Sequence, residues 1–192
     1  SLVSGSVLVP PPGTLQAYYE AGFLTDVLNS GATKTANYEK VATWLDHTAN
    51  NHDIVQATSG NQMRHRHGEI PVVYSSHKEI TSTVGMSNSS VSINKRAASF
   101  FALVEIDNMV TQATPLVYVV MGLAGGVGDL CYYNAGYEAD TAVLYWRDGS
   151  GTTNTGIRLD SSLSLIGVIL DSGQIKVIYN DQSYTVATPL SA

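Results

Sequence analysis

Cysteine, positive charge and long apolar runs are all scarce in this sequence, and each scarcity removes a class of protein. The single cysteine, Cys131, has no partner within the chain, so no internal disulfide staples the fold and nothing points to an oxidising compartment. No basic or histidine-rich run flanks it, and it reads as a small buried hydrophobe rather than a reactive thiol. Ten Lys plus Arg against sixteen Asp plus Glu leave a formal net charge of −6. That balance offers no electrostatic footprint for a phosphate backbone, and nucleic acid is not expected as a direct partner. The longest apolar stretch, residues 116–124, is about half of the ~20 residues that a membrane-spanning helix needs, so membrane insertion is not expected. The chain opens without the basic start and apolar centre of a signal peptide. A first residue Ser1 is what removal of an initiator Met leaves, and the expectation is a complete polypeptide made in a host cytoplasm.

Familiar catalytic and nucleotide-binding signatures are missing as well. There is no Gly-x-Ser-x-Gly elbow, and Cys131 has no sequence partner that would activate it. The glycine-rich run from Gly122 through Gly125, Gly126 and Gly128 is not followed by Lys-Ser/Thr and reads as an inter-strand loop, not a phosphate cradle. No repeat of 20–50 residues occurs, which argues against a solenoid or propeller.

What the chain has in abundance is short apolar runs broken by polar turns. With 192 residues it fits one domain able to bury roughly 70% of its unfolded surface. Val41-Ala42-Thr43-Trp44-Leu45, Ile54-Val55-Gln56-Ala57-Thr58 and Ile70-Pro71-Val72-Val73-Tyr74 are β-prone, and the Asx-rich stretch from Asp46 to Asp53 between the first two forms turns. Over residues 99–108, Phe100, Ala102, Val104 and Ile106 share one strand face; Phe101 and Leu103 share the other, so something must cover the outer face near Phe101. Ile166, Val168 and Leu170 alternate into a turn at Asp171-Ser172-Gly173, Ile175, Val177 and Tyr179 return, and Asn180-Asp181 turns again into Ser183-Tyr184-Thr185-Val186. Only residues 15–29 suggest a helix, with Tyr19, Phe23, Leu24, Val27 and Leu28 near an i, i+4 stripe weakened by Gly22; one or two turns are expected. Residues 1–13 carry Val7, Leu8 and Val9 ahead of Pro10-Pro11-Pro12 and read either as an extended assembly arm or as a first edge strand.

Trp44-Leu45-Asp46 ahead of the Asn-rich loop, then Gln56-Ala57-Thr58, then Gly68-Glu69-Ile70-Pro71-Val72-Val73, resemble the laminin-G-like branch of the concanavalin A-like lectin/glucanase superfamily. The resemblance extends over roughly residues 15–186, where Ser99-Phe100-Phe101-Ala102-Leu103-Val104 and the late hairpins look like the family's central and late strands. It implies an all-β fold, a two-sheet antiparallel jelly-roll-like sandwich occupying residues 14–192 as a single domain with one short helix near its N-terminus. Many relatives carry an aromatic-Asp-Gly step after Pro-Val-Val, where this chain has Tyr74-Ser75-Ser76. The family's retaining glucanases need two carboxyl groups about 5–5.5 Å apart. Glu105-Ile106-Asp107 matches half of their catalytic pattern, but Met109 or Val110 stands where the second Glu belongs, so no catalytic residue is assigned and an enzyme is not expected.

Binding residues are therefore sought among aromatics and polar loops. Tyr132, Tyr133, Asn134, Tyr137, Trp146 and Asp148 could form a platform on which a sugar ring stacks while Asn and Asp bond its hydroxyls, although the same tyrosines also suit a core or an interface. His65 and His67 fall on one strand face and His47 with His52 flanks the Asx loop; neighbouring Arg64 and Arg66 oppose a cation, so a polar rim is preferred to a metal site. Asp46, Asn50, Asn51 and Asp53 supply oxygens that would suit calcium, the one cofactor considered, but lack the EF-hand spacing and equally explain an Asx turn. The expected function is a non-catalytic structural protein on a virion surface, a bacteriophage capsid-decoration, head-fibre or tail-associated component. Its partners would be other virion proteins such as the major capsid protein, or further copies of itself. The alternative is a carbohydrate-binding module for a cell-surface glycan, and a remote one, resting on Glu105 and Asp107, is a glucanase.

Overall fold

The computed structural model describes residues 15–74, 85–89, 91, 97–105, 116–123, 128–134, 142–148, 151–160 and 162–186. Val7, Leu8, Val9 and Pro10 of the expected arm, and Tyr137, lie outside them. The described chain is mostly β-strand in antiparallel sheets, consistent with an all-β sandwich, and its one helical element is a 3-10 turn at Ser59–Asn61. The chain divides into two compact units, Ser1–Val91 and Ser92–Ala192.

In the first unit, β1 (Val27–Leu28), β2 (Thr43–Trp44) and β3 (Ile54–Val55) form a three-stranded sheet, and β4 (Arg64–Arg66) pairs with β5 (Val72–Tyr74). Val27 and Val41 are its fully buried aliphatics. The helix expected over 15–29 does not form. Instead, Phe23 and Asp26 donate their amides to Glu20 and Phe23 in tight turns, Tyr18 gives its N–H to the Asp46 carboxylate, and Val27 and Leu28 pair with Trp44 and Thr43. Gly22 lowers helix propensity, and long-range β partners claim the amides that a helix would use.

The second unit holds two four-stranded antiparallel sheets. One runs β10 (Gly151–Leu159), β9 (Ala142–Asp148), β8 (Gly128–Asn134), β7 (Leu116–Leu123); the other runs β13 (Gln182–Val186), β12 (Gln174–Tyr179), β11 (Ser164–Asp171), β6 (Ala97–Val104). Inward residues of both sheets build one core: Leu130, Leu144, Trp146, Ile157 and Leu159 from the first, Ile166, Val168, Leu170, Ile175, Val177, Tyr179 and Val186 from the second. The expected alternation is observed over β11, β12 and β13. Asp171 pairs with Gln174, leaving Ser172 and Gly173 as a two-residue turn with φ of +51° and +88°, the left-handed geometry that matches strand twist. Tyr179 pairs with Gln182, and Asn180 enters that second turn at φ +51°.

On β6, Ala98, Phe100, Ala102 and Val104 face inward, while Phe101 and Leu103 are 50% and 62% exposed. Phe101 stands directly opposite Gly167 of β11. A Cβ at Gly167 would collide with the Phe101 ring and come within 2.9 Å of the Phe100 carbonyl oxygen, so the ring lies across the bare glycine backbone.

Candidate functional site

The best-defined polar constellation is the loop from Asp46 to Asp53. Asp46 follows β2 and is buried, yet its carboxylate has abundant donors: Oδ1 accepts the N–H groups of Tyr18 and Thr48 at 2.9 Å each, and Oδ2 accepts Thr48 Oγ1 at 2.6 Å and the His52 N–H at 3.0 Å. Burial pushes this carboxyl up, but the Thr48, Tyr18 and His52 donors outweigh it and hold it below the ordinary aspartate value. Asp53 Oδ1 in turn accepts the Asp46 N–H at 2.9 Å. Asn50 donates to the carbonyls of Leu15 and Gln16, and Asn51 to that of Ala49. Asp46 accepting the Thr48 N–H two residues on is an Asx turn, and Asn50 ties the loop to the segment before β1. Tyr19 closes the same loop by donating to the His52 carbonyl; burial, with Asp46 and Asp53 nearby, pushes its phenol up to about 12. A cleft of ≈ 240 Å³ lies beside the loop, lined by Asn51, Asp53, Val55, Ser87, Asn88 and Ser89.

His65 is fully buried, not part of a polar rim as the sequence suggested. Its Nδ1 is 2.7 Å from Thr35 Oγ1 and its Nε2 3.0 Å from the Ala21 carbonyl oxygen. Because a carbonyl only accepts, Nε2 carries a proton; in the neutral ring that burial favours, Nδ1 accepts from the Thr35 hydroxyl, which also lies 3.2 Å from the Val27 carbonyl oxygen. Burial lowers the pKa of His65, and His67 adds to the lowering; their rings meet edge-on at 4.5 Å. The shared face expected for the two histidines is therefore present, but both His65 nitrogens are occupied and cannot ligate a metal. Among the described residues, no group of three or more His, Cys, Asp or Glu side chains is placed to hold one.

An aromatic cluster that the sequence did not single out lies on the turns before β1. Phe23 stacks on His47, with centroids 4.2 Å apart and planes 13° apart, and Tyr18 meets His47 edge-on at 6.3 Å. His47 Nδ1 is 3.0 Å from Asp26 Oδ2, and Tyr18 donates to Glu20 Oε2 at 2.6 Å. Tyr18, Phe23 and the His47 side chain are all partly exposed, the last by 50%. Phe23 and His47 are 24 positions apart, so no periodicity within one element could have joined them.

Of the residues proposed for sugar binding, Trp146 lies in the core and the others are placed by strand register alone or lie outside the described residues. Trp146 is fully buried in the core of the second unit, and its Nε1 donates at 2.9 Å to Asp148 Oδ2. The buried indole has no face free for a sugar, and Asp148 serves its polar edge. Gly128 explains how closely the indole is packed: at φ +138°, a Cβ there would fall inside the Trp146 ring and within 2.7 Å of the Arg147 carbonyl oxygen. Tyr132 and Tyr133 occupy successive positions of β8 opposite Leu144 and Val143, and Asn134 ends that strand opposite Leu116. Glu105 is exposed just after β6, while Asp107, Met109 and Val110 lie outside the described residues.

No family model matches this chain, and no curated protein or solved structure does so.

Proposed function

We propose that the chain is a non-catalytic structural and binding protein displayed on a virus particle, a bacteriophage capsid-decoration, head-fibre or tail-associated component built on a concanavalin A-like jelly-roll sandwich. The observation that carries this reading is how the polar side chains of the richest loop are used. Asp46 spends both carboxylate oxygens on four donors of its own chain, which suits a rigid display loop. Two antiparallel sheets over one core and the lectin-like pattern of residues 40–80 are in keeping with it. The partners are other virion proteins, the major capsid protein among them. The test is co-sedimentation with purified particles. The full chain is expected to pellet with them, and a chain lacking residues 1–13 is expected to remain folded in the supernatant; equal retention of both removes the arm from the reading, and retention of neither removes the reading itself.

A second reading, glycan binding, is favoured by the exposed Tyr18–Phe23–His47 cluster. Aromatic rings beside the Asp26 and Glu20 carboxylates are the pairing that stacks on a sugar's apolar face and bonds its hydroxyls. A glycan array probed with the protein and with Phe23→Ala tests it: hits lost in the variant support this site, and an array without hits removes it.

A further inference from the structure

The second unit carries an unusual edge. β6 ends its sheet, and among the described strands its only ladder partner is β11, with which it pairs without a bulge from Ala97 to Val104. Sheet edges in soluble proteins are normally blunted by lysines, prolines, bulges or brevity, because an open row of N–H and C=O groups recruits another strand. This edge has none of these devices. Its eight residues, Ala-Ala-Ser-Phe-Phe-Ala-Leu-Val, include no charge and no proline, and they place Phe101 and Leu103 on the outer face at 50% and 62% exposure. By contrast β13, at the other end of the sheet, is five residues long, and its exposed positions are Gln182, Ser183 and Thr185.

We propose that this edge is a self-association surface, on which a second copy of the chain pairs its own β6 antiparallel about a two-fold axis. A second copy is the occupant the strand's chemistry fits best. The strand is uncharged, so apposing it to itself brings no like charges together, in a chain whose net charge of −6 resists casual association. The two-fold must pass through a residue, since only then do outer-face residues pair with outer-face residues. Ala102 has a small inward side chain; an axis there sets Phe101 of each copy opposite Leu103 of the other, so both exposed side chains are covered twice over by one self-complementary contact. Glu105 then falls opposite Ser99, not opposite another carboxylate. In this register five residues of each β6, Phe100 to Val104, pair with their counterparts, a ladder of about 17 Å. A ladder of that length with four large apolar side chains lies below the size of a standard stable interface, and a weak, reversible dimer with a dissociation constant on the order of ten micromolar is expected. This surface is independent of any particle, so a dimer that fails to bind particles would leave it standing while removing the display reading.

The test is sedimentation equilibrium of the full chain over about 1–100 μM, the range that brackets such an affinity. A monomer–dimer equilibrium is expected, and Leu103→Lys, which restores an edge-blunting charge, should weaken it at least about tenfold with an unchanged circular dichroism spectrum. A second, folding-independent readout uses Ala102→Cys in a Cys131→Ser background: directly opposed residues of an antiparallel pair lie within disulfide reach, so mild oxidation should give a covalent dimer. A protein monomeric throughout this range, a dimer untouched by Leu103→Lys, or no cross-link at position 102 each overturns the proposal.

Discussion

Removing the Asp46 carboxylate tests how the first unit is held together. The side chain organises four donors from three residues, Tyr18, Thr48 and His52, and so joins the chain before β1 to the loop after β2. Hydrogen bonds to a charged acceptor contribute about 1.5–3 kcal/mol each, but neighbours sharing one group are far from additive and freed amides in a loop recover water. Asp46→Ala is therefore expected to cost about 3–5 kcal/mol, a large part of what a small unit has. Asp46→Asn keeps one acceptor oxygen for the Tyr18 and Thr48 amides but turns an NH₂ toward the His52 N–H, and about 1.5–3 kcal/mol is expected. The sign of the pH effect follows from the lowered carboxyl. The folded value lies below the unfolded one of about 3.9, so the contribution is complete above that pH and disappears as pH falls through the folded value. The Asp46 variants should lose this part of the acid limb and keep the part due to Glu39, whose carboxyl the Ala36 N–H and the Asn29 side chain hold below its ordinary value. Urea unfolding followed by Trp44 fluorescence in a Trp146→Phe background isolates the unit, because the two tryptophans lie in different units. Variants that unfold within about 0.5 kcal/mol of the parent, or an Asn variant whose acid limb is as steep as the parent's, would refute the reasoning.

Three further outcomes follow from other contacts. Gly128→Ala should destabilise the second unit by at least about 2 kcal/mol, because it combines a positive φ with a clash against Trp146 and the Arg147 carbonyl; a thermal melt within a degree of the parent would contradict this. Trp146→Ala should cost about 3–5 kcal/mol as a core truncation, measured by urea unfolding, and Trp146→Phe should leave any glycan binding unaltered. His65 has a lowered pKa, so its neutral form is favoured in the folded state. Stability from this group is complete above the unfolded value of about 6.5 and declines as pH falls below it; a His65→Gln variant whose unfolding midpoint keeps the parent's slope between about pH 6.5 and 5 would count against the assignment.

Much of the β-architecture was legible because it rests on local rules. Ile166, Val168 and Leu170 alternate, Ser172-Gly173 and Asn180-Asp181 favour left-handed turn geometry, and the hairpins form where those signals fall. Phe100 and Phe101 could be assigned to opposite faces for the same reason. The helix expected over residues 15–29 failed because its periodicity was weak and its amides found distant partners. Whether Trp146 was a surface or a core residue was not legible, because alternation says which residues share a face but not which face becomes covered. The calcium-like loop contained the right oxygens, but only their directions show that Asp46 bonds its own backbone.

Period-two patterning and turn-forming dipeptides, both properties of neighbouring residues, were enough to establish antiparallel β-structure and the late hairpins. Everything that depends on residues far apart in the chain was decided by folding: the meeting of Phe23 with His47, the enclosure of His65 between Thr35 and Ala21, the seating of Trp146 over Gly128, and the exposure of Phe101 and Leu103. The physical reason is that hydrogen bonding along a strand is local in pattern, whereas burial is set by which sheet faces come together, and that is a property of the whole packed unit.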